Sequence, residues 1–275
     1  MALPPYASPL ERVWFWVFRT FCGLVLLFLI TPVLVIIPLS FSSGSFLTYP
    51  LPGFSLRWYQ EIFSAGPWLD SLKNSLIVAP LATLLAMAFG TLAAVGLNRA
   101  EFPGKGLILA LLISPMVVPL VIVAVGMYFF FAEVGLLNSY IGLVLAHTVL
   151  GVPFVVITVN ATLQGFDFNQ MRAGASLGAN PTRVFFDIVL PQILPGVVSG
   201  GLFAFATSFD EVVVALFIAS PTERTLPIQM FSGIRENISP AIAAMATVLI
   251  LLSTLLLVTM ELLRRRSERL KGSVE

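Results

Sequence analysis

Six stretches of about 20 or more predominantly apolar residues run from one end of this chain to the other, and a helix of that length is what a bilayer requires for one crossing. They fall at roughly 18–39, 76–97, 106–131, 140–163, 194–220 and 241–263, separated by polar or Pro/Gly-rich breaks. No water-soluble fold hides them all, because 58% of the 275 residues are hydrophobic and only 11% are charged. In hydrocarbon each backbone N–H and C=O has to be satisfied within its own segment, which selects helices. The expectation is an all-α integral membrane protein, a single transmembrane domain over 1–275 with six membrane-spanning helices and membrane lipid as its solvent. Arg12 and Arg19 ahead of the first apolar run resemble a signal peptide, but the run is too long for one and reads as a retained span. Cys22 is the only cysteine, so neither an intramolecular disulfide nor a Cys-based metal cluster is available. A net charge of +1 gives no reason to expect a nucleic-acid partner.

Basic residues set the orientation, since they are retained on the cytoplasmic side. Arg12, Arg19, Arg99, Lys105, Arg172, Arg183, Arg264, Arg265, Arg266, Arg269 and Lys271 share one side of a six-span topology, against Arg57, Lys73, Arg224 and Arg235 on the other. Both termini are therefore expected in the cytoplasm. The first outside connection, 40–72, is rich in aromatics (Tyr49, Trp58, Tyr59, Trp68) and in Pro and Gly, which fits either an interface belt or a structured loop for an external partner. Ala82, Ala86, Gly90 and Ala94 form a four-residue-spaced row of small side chains, as do Gly196, Gly200 and Ala204. Such rows let helix backbones approach closely, within this chain or against a second membrane subunit.

The long inside connection, 164–193, is dense in helix signals. Asp167 is placed to cap a helix that runs to Leu177 and stops at Gly178, and Asn180 to cap a second that opens with Pro181 and carries an Arg183–Asp187 pair at i,i+4 spacing. Two short helices at a sharp break would form a protruding element. The stretch MRAGASLGANPTRVFFDIVLPQILPGVVSG resembles the EAA motif of ABC importer permeases. Ala173 and Gly174 take its two alanine places, Gly178 its glycine, and Ile188, Leu190 and Pro191 its I-x-LP ending. Arg172 stands where that family usually has Glu. The resemblance implies that the first short helix is a coupling helix seated in a cleft of a nucleotide-binding subunit, with Phe168, Met171 and Ala175 as its apolar face and Arg172, Ala173, Gly174 and Gly178 at the contact. The plain alternative is an amphipathic segment lying on the membrane surface.

From Ser208 onward the chain is similar to the second membrane subunit of spermidine/putrescine-type importers, in the acidic pair Asp210–Glu211, the Thr225–Pro227 element and Ile238–Pro240. That resemblance implies a bacterial-type inner membrane, a pair of ATP-binding subunits that hold ATP and Mg, a second homologous permease, an extracytoplasmic solute-binding protein, and a polyamine or related amine as solute. No cofactor is expected in this chain. It has no G-x4-G-K-[ST] loop of its own, since Arg99 occupies the first glycine position relative to Gly104 and Lys105.

Asp210 and Glu211 fall inside the fifth apolar run, where a charge costs about 2.5–3.5 kcal/mol on insertion scales. Adjacent helical residues point about 100° apart, so only one is expected to face the bundle centre. A carboxylate there would favour a cationic solute. The other possibility is a structural acid bonded to a neighbouring span. His147 is read as a hydrogen-bonded packing residue, Asn160 as an interhelical bond and Glu133 as a solvated interfacial residue. No catalytic or metal-binding constellation is present, because one histidine without HExxH or a Cys pair supplies neither. An ion-gradient-driven carrier is the rival class, and would be expected to show internal repeats.

Overall fold

The computed structural model describes residues 8–236 and 238–272, with side chains placed as far as Leu255 and at Val258; the side chains of the basic tail, Arg264, Arg265, Arg266, Arg269 and Lys271, lie outside the described ones. Among the described residues twelve α-helices follow in order: α1 (Pro9–Leu39), α2 (Arg57–Phe63), α3 (Pro67–Arg99), α4 (Lys105–Val117), α5 (Leu120–Glu133), α6 (Tyr140–Leu163), α7 (Asn169–Ser176), α8 (Pro181–Val184), α9 (Leu190–Phe209), α10 (Val213–Ile218), α11 (Leu226–Glu236) and α12 (Pro240–Gly272). Among the described residues the only β pairing is one isolated bridge between Ser42 and Phe54. The chain divides into two compact units, Ala65–Ser232 and Met1–Ser64 with Gly233–Glu275.

Among the described residues four helices are long and apolar enough to cross a membrane: α1, α3, α6 and the continuous helix Pro181–Phe209. The fourth expected span matches α6 at both ends, because Ser139 accepts a hydrogen bond from the Gly142 N–H and caps it. The third expected span, 106–131, is instead broken. α4 and α5 meet at 107° around Val118–Pro119. Proline disfavours helical backbone at the residue before it, and Val118 is accordingly extended (φ −70°, ψ 138°). Counted together, that pair makes a fifth apolar crossing; Pro240–Leu255 is a shorter apolar helix.

In the unit Ala65–Ser232, α6 is the central helix, with α3 on one flank and α9 on the other. The two rows of small residues explain the arrangement, because both turn toward α6. A Cβ on Gly90 would lie 2.7 Å from Val155 Cβ, one on Gly200 would lie 2.6 Å from Val155 Cα, and one on Gly151 of α6 would meet Ala204 Cβ at 2.9 Å and Ala86 Cβ at 3.1 Å. These backbones approach as closely as side chains allow. Asn98 donates to Asn160 Oδ1 and ties α3 to α6 at one end. At the other end Asn74 donates to the Thr222 and Arg224 carbonyls (3.0 and 2.9 Å) and accepts from the Tyr140 hydroxyl (2.8 Å). Lipid offers no hydrophobic force between helices, so close packing and these polar links hold the bundle.

The other unit contains α1, α2 and α12, with α12 packed against both of the others. α1 opens on a capping box between Ser8 and Glu11 and buries none of its residues, as befits a helix that faces hydrocarbon. The 40–64 segment is folded: Trp58 is buried and donates to the Ser42 carbonyl (2.8 Å), Tyr59 bonds Ser40 (2.6 Å), and Arg57 stacks over Trp58 (4.3 Å). Tyr49 and Phe54 remain exposed at its surface.

Candidate functional site

The fifth apolar run does not continue as one helix through 194–220. α9 stops at Phe209 and α10 starts at Val213, so Asp210 and Glu211 sit at a break and not within a helix. The break has a local cause. Glu211 turns its carboxylate onto the start of α10, where Oε1 accepts from Val214 N–H and Oε2 from Ala215 N–H, both at 2.8 Å. Charge-assisted bonds to unpaired N–H groups offset much of the cost of burying a carboxylate that is only 5% exposed. Asp210, one residue earlier, is exposed. The two acids thus part company, one committed to the backbone and the other free.

Behind Glu211 lies a buried polar cluster. His147 of α6 has its Nδ1 2.7 Å from Ser208 Oγ and its Nε2 3.9 Å from Glu211 Oε2, with Nε2 making no hydrogen bond. The arrangement assigns the tautomer. A bare Nε2 lone pair facing a carboxylate would be repelled, so Nε2 carries the proton, Nδ1 accepts, and the Ser208 hydroxyl donates. His147 is therefore a hydrogen-bonded packing residue that buttresses the break; its Ser208 partner is a contact that spacing along the sequence does not disclose.

Asp210 borders a cavity of about 630 Å³ whose other walls include Met116, Leu120, Leu150, Phe154 and Thr207. Several elements build it, the break itself contributing Glu211 and Val212 and the start of α10 Val213. The α4–α5 bend supplies Met116 and Leu120, α6 supplies Leu150 and Phe154, and the end of α9 supplies Thr207 and the carboxylate. Both chain breaks, at Val118–Pro119 and at Asp210–Val212, thus border one apolar hollow that carries one exposed negative charge.

The 164–193 connection is built largely as its capping signals predict. Asp167 Oδ1 accepts from Asn169 N–H (2.9 Å), Gly178 has the left-handed φ of 88° that ends α7, Asn180 Oδ1 accepts from Arg183 N–H (2.8 Å), and Arg183 pairs with Asp187 (3.1 Å). Two expectations need correction. The second short helix is not separate, because α8 runs through a π-helical turn, Phe185–Val189, directly into α9. Pro191 has no N–H to give the Asp187 carbonyl, and Leu190 N–H reaches Phe185 O instead, which widens the turn. The expected apolar face of α7 is also divided. Phe168 and Met171 pack against this chain's own core beside Leu163, Phe166 and Ile193, and Gly174 is buried, with its would-be Cβ 2.7 Å from Ile188 Cδ1. Arg172, Ala173, Ala175 and Gly178 are exposed, as are Asn169, Ser176 and above all Leu177, at 89%.

Residues 86–269 match the family described as binding-protein-dependent transport system inner membrane component. The chain is 32% identical over 254 residues, 92% of its own length and 98% of the relative's, to the spermidine/putrescine transport system permease protein PotC of Haemophilus influenzae. It is 33% identical over 234 residues, 81% of this chain and 82% of the relative, to the putrescine transport system permease protein PotI of Escherichia coli (strain K12). Among solved structures, the fold is shared with a chain of a bacterial ABC transporter involved in the import of the acidic polysaccharide alginate, with TM-score 0.75, 94% of this chain and 99% of that one covered, and 15% identity. A helical membrane bundle of this topology, matched over two thirds of its length to that family and over nearly all of it to such a permease, belongs to the inner-membrane components of binding-protein-dependent ABC importers.

Proposed function

We propose that this permease forms half of the translocation path for a polyamine or a related amine-bearing solute, with Asp210 as the carboxylate that receives an ammonium group. The observation that carries this reading is the single exposed carboxylate on an otherwise largely apolar hollow at the break between α9 and α10. A charge in such a medium lowers the barrier for a cation and raises it for an anion. Apolar walls suit the methylene chain between the amino groups of an alkyl polyamine. Glu211 also borders the hollow, but it is buried and each of its oxygens already accepts a backbone N–H, so Asp210 is the acid offered to solute. The polyamines named for PotC and PotI support the same solute class.

In this proposal the chain performs no chemistry. Two ATP-binding subunits hold ATP and Mg, a second, homologous permease supplies the other half of the path, and an extracytoplasmic solute-binding protein delivers the solute. Both termini lie in the cytoplasm, and α7 docks on an ATP-binding subunit. Its docking face comprises Arg172, Ala173, Ala175 and Leu177, four of the residues exposed along α7 and its C-terminal cap, with Gly174 and Gly178 setting its seat and its end. A charge on the most exposed of these should loosen the contact: Leu177→Glu is expected to reduce co-purified ATPase subunit at least about fivefold, by about 1 kcal/mol of lost apolar contact, while membrane levels of the permease stay unchanged.

The test is reconstitution of the complex in proteoliposomes with labelled spermidine and its binding protein. ATP-dependent accumulation of spermidine, absent for a neutral sugar, is the expected result. Accumulation that persists without ATP and follows an ion gradient would replace this reading with a gradient-driven carrier.

A further inference from the structure

The contacts between α6 and α9 form an antiparallel ladder of close approaches: Gly196 meets Thr158 and Thr162, Gly200 meets Val155 and Thr158, and Ala204 meets Gly151. One turn further along both helices stand Ser208 and His147, with Oγ and Nδ1 2.7 Å apart and both side chains buried. Among the described residues this last rung is the one hydrogen bond that joins the two helices. The other rungs hold a separation by close packing, whereas a hydrogen bond also fixes a direction.

That rung links two walls of the Asp210 hollow. Leu150 and Phe154, which wall it, follow His147 at i+3 and i+7 spacing and so share its face of α6. On the other side α9 ends between Ser208 and Asp210, and Glu211, whose carboxylate caps α10, faces Nε2 of the same imidazole at 3.9 Å. One side chain therefore addresses both sides of the break, α9 through Nδ1 and the cap of α10 through Nε2.

We infer that His147 is a positioning residue for Asp210: by pinning Ser208 and facing Glu211 it sets where the exposed carboxylate stands against the apolar wall of α6, and so how an ammonium-bearing chain fits the hollow. The inference rests on the reading of Asp210 as the solute's carboxylate. His147 itself meets no solute, because its side chain is wholly buried and does not line the hollow. Without the pin the last turn of α9 is free to rotate, and a carboxylate two residues further on moves with it. The fold outlasts that loss. Ser208 is not stranded, since a helical serine can donate to the carbonyl four residues back, here that of Ala204, and Glu211 keeps both of its bonds to α10.

The test uses the assembled complex in proteoliposomes with its binding protein, and reads spermidine imported per ATP hydrolysed beside the amount of folded permease. H147L removes the pin from one side, S208A removes it from the other, and H147N restores an acceptor near the Nδ1 position. Import per ATP is expected to fall about tenfold in H147L and about fivefold in S208A, while folded permease and ATPase stimulation by the loaded binding protein hold. H147N is expected to recover import. Because His147 acts through Asp210, D210N/S208A should import no less than D210N alone. Effects that multiply in the double variant would overturn the inference, and so would import per ATP that stays at the wild-type value in H147L and S208A, whether or not folded protein is lost. If H147L does not accumulate, S208A, the smaller excision, decides by the same readings. Wild-type import by D210N would remove the reading of Asp210 itself and this inference with it, whereas a defect in D210N that neither H147L nor S208A shares would remove this inference alone.

Discussion

Asp210→Asn should lower spermidine uptake about ten- to hundredfold while the permease accumulates in the membrane at its usual level, whereas Glu211→Ala should lower the amount of folded permease itself. The contrast follows from what the two neighbours touch. Asp210 has an exposed carboxylate on the cavity, and losing one charge-assisted contact to a solute ammonium removes about 1.5–3 kcal/mol. Glu211 is buried and accepts from two backbone N–H groups at the start of α10. Its removal strands both donors and leaves the Nε2–H of His147 facing nothing, a loss of about 3–5 kcal/mol. The measurement pairs initial uptake rates in proteoliposomes with thermal unfolding followed by size-exclusion chromatography. Equal loss of uptake and of folded protein in both variants would mean that Asp210 is a structural acid as well. Glu211→Gln should fall between, since an amide oxygen replaces one of the two acceptors.

Gly200→Leu is expected to abolish accumulation of folded protein. At this position α9 approaches α6 so closely that even a Cβ would sit 2.6 Å from Val155 Cα, a backbone atom that cannot swing aside. The helices would have to separate along the same face that holds Gly196 and Ala204, and overpacking of that kind costs about 3 kcal/mol or more. Gly23→Leu serves as the comparison, because a Cβ there meets nothing within 4 Å. If Gly200→Leu unfolded at the wild-type temperature, the account of α6 as a closely gripped central helix would be wrong.

The spans that sequence alone located best are those whose ends carry a local chemical signal. α6 begins at the Ser139 cap, and α7 and α8 begin beside Asp167 and Asn180, whose side chains bond to N–H groups two and three residues away. Such signals are complete within a few residues, so a linear reading captures them. The two breaks were missed for a different reason. Apolar residues flank both Val118–Pro119 and the acidic pair Asp210–Glu211, so composition reports one span where geometry makes two segments. Pro119 was a visible clue, although prolines are common in membrane helices and most of those here, such as Pro80 and Pro153, lie within continuous helix. That Glu211 would cap α10 while Asp210 stayed exposed depends on where the helix stops, which no spacing along the chain reveals. Likewise Phe168 and Met171 look like a docking face on a helical wheel, but α7 is turned so that both pack inward.

The π-helical turn at Phe185–Val189 has a mechanical meaning. Because it joins α8 to α9 without a loop, residues Pro181–Phe209 form one strut of 29 residues, about 44 Å long at 1.5 Å per residue. One end of the strut adjoins α7, and the other ends at Asp210. A hinge between them would absorb a push; a continuous helix delivers it. The widened turn does not interrupt the strut, so that displacement at the α7 end would arrive at the carboxylate as tilt or translation of a single lever arm.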